Sequence, residues 1–299
     1  MNFMYQYPDV TGTDIDMLDC GPVAEVARAA EDAGFMGFAF TEHPAPGNKW
    51  LMSGGHQSLD PFVALAYVAA ATTRIKLLTY LAVVPYRNPL LLAKSAATVD
   101  KLSGGRFVLG VGTGYLKGEF HALGVDFDER NALFDEALDV LPLHWSGAPF
   151  SYRGRHFEAR DVVGRPLPVQ SPIPIWIGGN SMLTRRRVAE RAQGWMPLSG
   201  TPELFRTTRT APLDERTELA GAVAGLRAAA GARGPSIDVM VAHTDLGIAD
   251  RRADLAKHAE QFAAYEAAGA TWVMIPGATY TRGDTLDFLE RFGSTIIGA

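Results

Sequence analysis

Short apolar runs alternate along the chain with longer stretches whose apolar residues recur at helical spacing. The runs predict strands over 3–7 (FMYQY), 36–40 (MGFAF), 75–84 (IKLLTYLAVV), 107–111 (FVLGV), 173–177 (IPIWI), 195–198 (WMPL), 237–242 (IDVMVA) and 272–275 (WVMI). Most are continuous rather than alternating, as expected of parallel strands covered on both faces. Helices are predicted over 22–33, 61–72, 89–103, 129–145, 182–192, 202–231, 251–268 and 285–297.

The punctuation between these elements repeats. Asp60-Pro61, Asn88-Pro89 and Thr201-Pro202 each place a capping side chain before a proline suited to a first helical turn. Gly34, Gly104, Gly194, Gly231 and Gly269 stand where a helix end favours glycine. Cap, helix, glycine, strand is the order of right-handed βα units. Eight such units favour an α/β fold closed as a single (β/α)8 TIM barrel over an open doubly wound sheet. Residues 145–172 are too long for a plain αβ connection, and predict an insertion between helix 4 and strand 5 with a small hairpin of its own. No Pro/Gly/Ser linker divides the chain, so 1–299 reads as one domain.

Composition narrows the function. Of 299 residues 47% are hydrophobic and 20% charged, and the net charge is −5, without the basic footprint of a nucleic-acid binder. The single cysteine, Cys20, excludes an internal disulfide and a cysteine-only metal site. The opening MNFMYQYPDV lacks a secretory pattern, and no stretch nears the roughly 18 uninterrupted apolar residues of a membrane helix. The expectation is a cytoplasmic protein acting on a small organic molecule, with neither nucleic acid nor membrane as partner and no metal.

In such a barrel chemistry belongs at the carboxyl ends of the strands. Strand 2 ends in Thr41-Glu42-His43, and a carboxylate beside an imidazole can orient a ligand and move a proton near neutral pH. A histidine there serves equally as a structural hydrogen-bonder. Strand 3 runs through Thr79-Tyr80-Leu81, and strand 4 through Gly110, Gly112, Gly114 and Tyr115, where a flat ligand can approach the backbone. Strand 5 ends in Trp176-Ile177-Gly178-Gly179-Asn180-Ser181 ahead of a helix, which suits either an anion site or a plain glycine turn. Arg185, Arg186 and Arg187 follow at the helix end that disfavours cations, so they either face a polyanion or are solvated beside Glu190. The other six histidines lack metal-ligand spacing, and HExxH, paired CxxC, the P-loop and GxSxG are absent.

The stretches GFMGFAFTEH (34–43), RIKLLTYLAVVPYRNPLLLAKSAATVDKLSGGRFVLGVGTGYLKGEF (74–120) and PIPIWIGGNS (172–181) resemble the luciferase-like flavin and deazaflavin oxidoreductases, most closely the coenzyme F420-dependent branch. The resemblance implies a homodimeric barrel with the cofactor across the strand mouths and ring contacts from Glu42 and His43. It implies a non-proline cis peptide near Thr79-Tyr80-Leu81 and a phosphate-side loop at Trp176–Ser181. His43 matches the proton donor or acceptor of the F420-linked sugar-phosphate dehydrogenases. Tyr80 departs from the glycine common in relatives, and Arg130–Glu136 lacks the usual glycine and second arginine.

The leading expectation is F420-dependent hydride transfer to or from a small organic substrate. An FMN-dependent monooxygenase using reduced flavin and O2 is the alternative, and a non-catalytic flavin- or F420-binding protein the second. An aldolase-type barrel ranks below these, since Lys76 opens strand 3 and Lys117 lies in a loop. Trp50, Met52, Tyr152 and Phe157 either line an apolar pocket or pack their loops, with packing favoured, and the loops 44–58 and 145–172 are the places where specificity is set.

Overall fold

Eight parallel strands close on themselves, and all eight coincide with the apolar runs. A computed structural model of the chain describes residues 1–11, 14–200, 202–213 and 218–298. β1 (Asn2–Gln6), β2 (Gly37–Phe40), β3 (Lys76–Thr79) with β4 (Ala82–Val83), and β5 (Phe107–Gly112) form one half. β6 (Phe150–Arg153) and β7 (Glu158–Val162) are an antiparallel hairpin outside the barrel, within the insertion. β8 (Ile175–Gly178), β9 (Gly194–Met196), β10 (Asp238–Ala242) and β11 (Trp272–Pro276) complete the ring, with β11 beside β1 and β3 beside β5.

The principal helices wrap this ring: α1 (Val23–Asp32), α3 (Pro61–Ala71), α4 (Pro89–Ser103), α6 (Arg130–Ser146), α7 (Met182–Arg191), α9 (Leu219–Ala229), α10 (Leu255–Ala267) and α11 (Arg282–Phe292). The capping residues act as the pattern implied. Asp60 accepts from the N–H groups of Phe62 and Val63 at 2.9 Å, and Asn88 from that of Leu90 at 2.9 Å. Thr201 lies outside the described residues. Arg106, in the LSGGRF stretch, donates to the carbonyls of Ala69, Thr72 and Ile75, tying the end of α3 to its strand. That stretch serves the scaffold.

Three expectations are corrected. The run 75–84 is two strands, because Leu78 lies opposite Val108 but Ala82 opposite Val111, one residue more on this side than on β5. That is a bulge, and the Tyr80–Leu81 peptide within it is cis. The helix expected over 202–231 is α8 (Pro202–Thr208) and α9, with non-helical residues at 209–213. Gly194 caps nothing: it opens β9, where a Cβ would run into the ring of Trp176. Two short helices, α2 (Asn48–Leu51) and α5 (Lys117–Ala122), lie on the loops after β2 and β5, where no periodic pattern announced them.

The barrel interior is filled rather than open. Met4, Leu78, Trp176, Met196, Met240 and Trp272 pack there, with the two indoles edge to face at 5.6 Å. A glycine on the adjoining strand makes room: a Cβ at Gly37, paired with Met4 in register, would strike its side chain. The larger core lies between strands and helices, including Phe3, Phe38, Leu109, Ile177 and Phe288.

Just beyond β10, on the helix side, His243 is 2% exposed and its Nε2 lies 2.9 Å from Nδ1 of His258 on α10. Burial, and then the neighbouring His258, push the His243 pKa from 6.5 down to about 4. The unfolded imidazole takes up a proton at a pH where the folded one stays neutral. Stability is therefore complete above pH 6.5 and falls as the pH drops towards about 4, by at most about 3 kcal/mol. Thermal unfolding followed from pH 7.5 to 5 should show this slope, and His243→Phe should flatten it. An equal slope in the variant would assign the acid sensitivity to other groups.

Candidate active site at the carboxyl ends of the strands

The strand ends form a mouth whose floor is set by the bulge. Leu81 projects over the two positions where β5 and β8 carry glycine. A Cβ at Gly112 would come within 2.5 Å of Leu81 Cδ1, and one at Gly178 would collide with its Cδ2. These glycines make room for Leu81, so the ligand-facing surface there is the Leu81 side chain and the Tyr80 ring. Thr79 lies beneath, fully buried, its hydroxyl donating to the Gly110 carbonyl at 2.7 Å.

The adjacent Glu42 and His43 diverge. The Glu42 carboxylate accepts from the Val83 N–H at 2.6 Å and forms a close ion pair with Arg87. Arg87 in turn lies over the Phe62 ring at 5.2 Å. Glu42 thus secures β4, the strand segment behind Leu81, instead of sharing a proton with its neighbour.

His43 has a different carboxylate. Its Nδ1 is 3.2 Å from Oε2 of Glu119 on α5, a residue 1% exposed. Glu119 also accepts from the Tyr86 hydroxyl at 2.8 Å and the Ala45 N–H at 3.3 Å. An ionised carboxylate only accepts, which assigns the His43 proton to Nδ1 and leaves Nε2 as the free lone pair. Burial, reinforced by the Glu119 charge, drives the hydroxyl pKa values of Tyr86 and Tyr115 well above the ordinary phenol range. Trp50 lies against the His43 ring at 4.5 Å and Tyr115 lies edge-on at 6.1 Å. A cavity of about 390 Å3 opens beside Trp50, Leu116 and Glu119.

Opposite His43, the β8 end supplies the turn into α7. Gly179 has φ +113°, a conformation other residues rarely adopt, and its carbonyl accepts from the Trp195 indole at 2.8 Å. Asn180 is a staple: its amide donates to the carbonyls of Leu198 and Ala211 at 2.8 Å, and its oxygen accepts from the Leu198 N–H. Ser181 caps α7 through the Thr184 N–H at 3.1 Å. Trp176 lies inside the barrel and Ile177 faces the helices, so neither reaches the mouth. Gly114 packs against Val83 and Phe120, beside Tyr115 at the rim.

The three arginines part company. Arg187 is buried, with Nε and Nη2 on the two oxygens of Asp135 at 2.7 and 2.8 Å and its guanidinium over Phe134. It clamps α7 to α6, and Arg186 is exposed. Arg185 lines a cavity of about 350 Å3 next to Asn180 and Leu213. Three residues beyond β9, Ser199 is 3% exposed, and its hydroxyl has no hydrogen-bond partner among the described residues.

Of the residues singled out in the sequence, His43, Tyr80, Leu81, Tyr115, Gly179 and Ser181 gather around the mouth. Glu119, Tyr86 and Ser199 complete it and were not singled out as site residues, and Trp50, weighed as pocket lining but favoured as packing, lies against the His43 ring. Glu119 stood in the quoted block 74–120, but nothing local marks a glutamate that meets a histidine 76 residues away.

A luciferase-like monooxygenase family model matches residues 6–278. The chain belongs to this family of oxidoreductases. It is 32% identical over 191 residues to an uncharacterized protein of Mycobacterium tuberculosis, covering 60% of this chain and 65% of that protein, so the match spans under two thirds of the relative's length. To the FMNH2-dependent dimethylsulfone monooxygenase of Pseudomonas putida it is 28% identical, over 67% of this chain and 56% of that one. Among solved structures, the monooxygenase RslO1 from Streptomyces bottropensis superimposes with a TM-score of 0.77 at 20% identity, covering 100% of this chain and 99% of the other. An F420-dependent secondary alcohol dehydrogenase bound to an F420–acetone adduct gives 0.75 at 15%, covering 99% of both chains. A monooxygenase and an F420-dependent dehydrogenase thus share this fold.

Proposed function

We propose that this chain binds coenzyme F420 across the strand mouths and catalyses hydride transfer to or from a small organic substrate. The observation that carries the reading is the His43–Glu119–Tyr86 chain of hydrogen bonds, which engages Nδ1 of His43 and leaves Nε2 free to take a proton. Two features of the walls support a flat cofactor with a phosphate. Leu81 and Tyr80 offer an apolar shelf for a ring system, and the buried Ser199 hydroxyl awaits an acceptor near the start of α7. The deazaflavin would supply two-electron chemistry, accepting or donating the hydride. In the oxidising direction His43 Nε2 takes the substrate's hydroxyl proton, and the Glu119 carboxylate stabilises the resulting imidazolium. In the reducing direction the same proton returns to the carbonyl oxygen. Trp50 and Tyr115 flank the His43 ring and limit water around the transfer.

The likeness to the FMNH2-dependent monooxygenase favours a second reading, in which reduced FMN and O2 act at the same mouth. Titrating the purified protein with F420 and with FMN, followed by fluorescence quenching, separates the two. Tighter F420 binding is expected, with alcohols or ketones then screened against oxidised or reduced F420. Preference for FMN would move the assignment to the monooxygenase, and binding of neither would overturn both.

A further inference from the structure

A second imidazole meets the mouth beside His43. His56 stands edge to face with His43, the centroids 4.8 Å apart and the planes at 80°, and 5.4 Å from Trp50. Its Nδ1 lies 3.1 Å from the Gln57 carbonyl oxygen and 3.5 Å from Oδ2 of Asp9. Both neighbours are acceptors, so this nitrogen carries the proton. Asp9, just past β1, accepts from the Thr41 hydroxyl at 2.8 Å and the Gln6 amide at 2.5 Å. Thr41 belongs to the strand end that carries His43, and a bridge between Thr11 and His56 ties the two loops together. The His43 ring is thus bounded by Glu119 at Nδ1, by Trp50, and by an imidazole that is itself anchored to a carboxylate.

We propose that Asp9 and His56 are a positioning pair for His43: Asp9 anchors His56, and His56 holds the His43 ring so that Nε2 addresses the mouth. The role rests on the reading of His43 as the group that moves the proton.

Burial pushes the Asp9 carboxyl up, while His56, Thr41, His43 and Gln6 pull it back without cancelling the rise. Tyr80 faces the same carboxylate, and its pKa is pushed up to about 12, first by burial and then by that charge. The other groups around the two rings are Glu119 on α5 and Tyr115 at the end of β5. A carboxyl whose folded pKa is raised contributes stability below its unfolded pKa and loses it as the pH rises. Burial thus opposes the Asp9 charge, and the groups that offset it are those gathered around His43.

The test uses the full chain labelled with 15N-histidine, without cofactor, at pH 7.5. Wild type should show His43 as a single tautomer with Nδ1 protonated. Asp9→Asn and His56→Gln should broaden the His43 ring signals, because the ring is then held at Nδ1 alone, and His56→Phe, which keeps a ring but not Nδ1–H, should do the same. A His43 spectrum unchanged in folded Asp9→Asn and His56→Gln would overturn the proposal. An unchanged spectrum in His56→Phe alone would overturn the role of Asp9, leaving only a ring contact. Because the spectra involve no cofactor, failure of both titrations would remove the functional reading by itself. Tight F420 binding with an unmoved spectrum would remove only this pair.

Discussion

His43→Gln should lower kcat by about 10²- to 10⁴-fold on whichever substrate the F420 screen yields, the usual worth of a positioned general acid or base. Glutamine keeps the volume and a hydrogen bond to Glu119 but cannot exchange a proton near neutral pH. Cofactor affinity should change little, since the Leu81 and Tyr80 shelf and the Ser199 end remain intact. Glu119→Gln should act in the same direction, because an amide can donate to Nδ1 and so favour the wrong tautomer. Glu42→Gln provides the contrast: it weakens the pair with the half-buried Arg87 and should appear as lost stability, about 2–4 kcal/mol, with kcat in the surviving folded enzyme near wild type. Steady-state kinetics beside urea unfolding of the three variants checks this. A larger loss of kcat from Glu42→Gln than from Glu119→Gln would mean that the proton passes through Glu42.

Gly110→Ala should cost about 3 kcal/mol of stability and weaken cofactor binding together with it. A Cβ at Gly110 would collide with the carbonyl oxygen of Thr79 and come within 3.0 Å of Leu78 Cδ1. Backbone cannot step aside as a side-chain tip can, and Thr79 is already tied to Gly110 by its hydroxyl. The displaced segment leads straight into Tyr80 and Leu81, so the floor of the mouth moves with it. Gly118→Ala is the control, since nothing lies within 4 Å of a Cβ at that position. The measurement is the urea midpoint of each variant, with F420 quenching alongside. A Gly110→Ala protein that unfolds with wild type would show that the two strands can separate without penalty.

Local pattern was sufficient for the architecture. Strands buried on both faces need continuous apolar residues, and Asp60 and Asn88 cap helices through N–H groups two or three residues away. Such interactions lie within one turn or one strand of the residue that signals them, so the chain displays them in order. Their repetition implied the closed ring without knowledge of any long-range contact. The short helices α2 and α5 escaped notice because they carry no periodic face, and the break within 75–84 because an extra residue in a strand leaves its apolar run unchanged.

The site was legible as a place but not as a set of partners. Thr41-Glu42-His43 announced the mouth, and the adjacency of Glu42 and His43 suggested a pair. Both lie in the loop just past β2, and there each side chain turned to a partner from another βα unit instead of to its neighbour. The fold gave His43 to Glu119 and to the pair of His56 and Asp9, and gave Glu42 to Arg87. The glycines of β5 and β8 likewise read as openings for a ligand, whereas Leu81 fills the space above them. Arg187, one of three adjacent cations, turned to Asp135 on another helix. What the residue order settles is the barrel, its strands and which end holds the chemistry, because burial and capping act over a few residues. What folding alone decides is the company each polar side chain keeps at that end, because those partners come from different βα units and meet only when the ring closes.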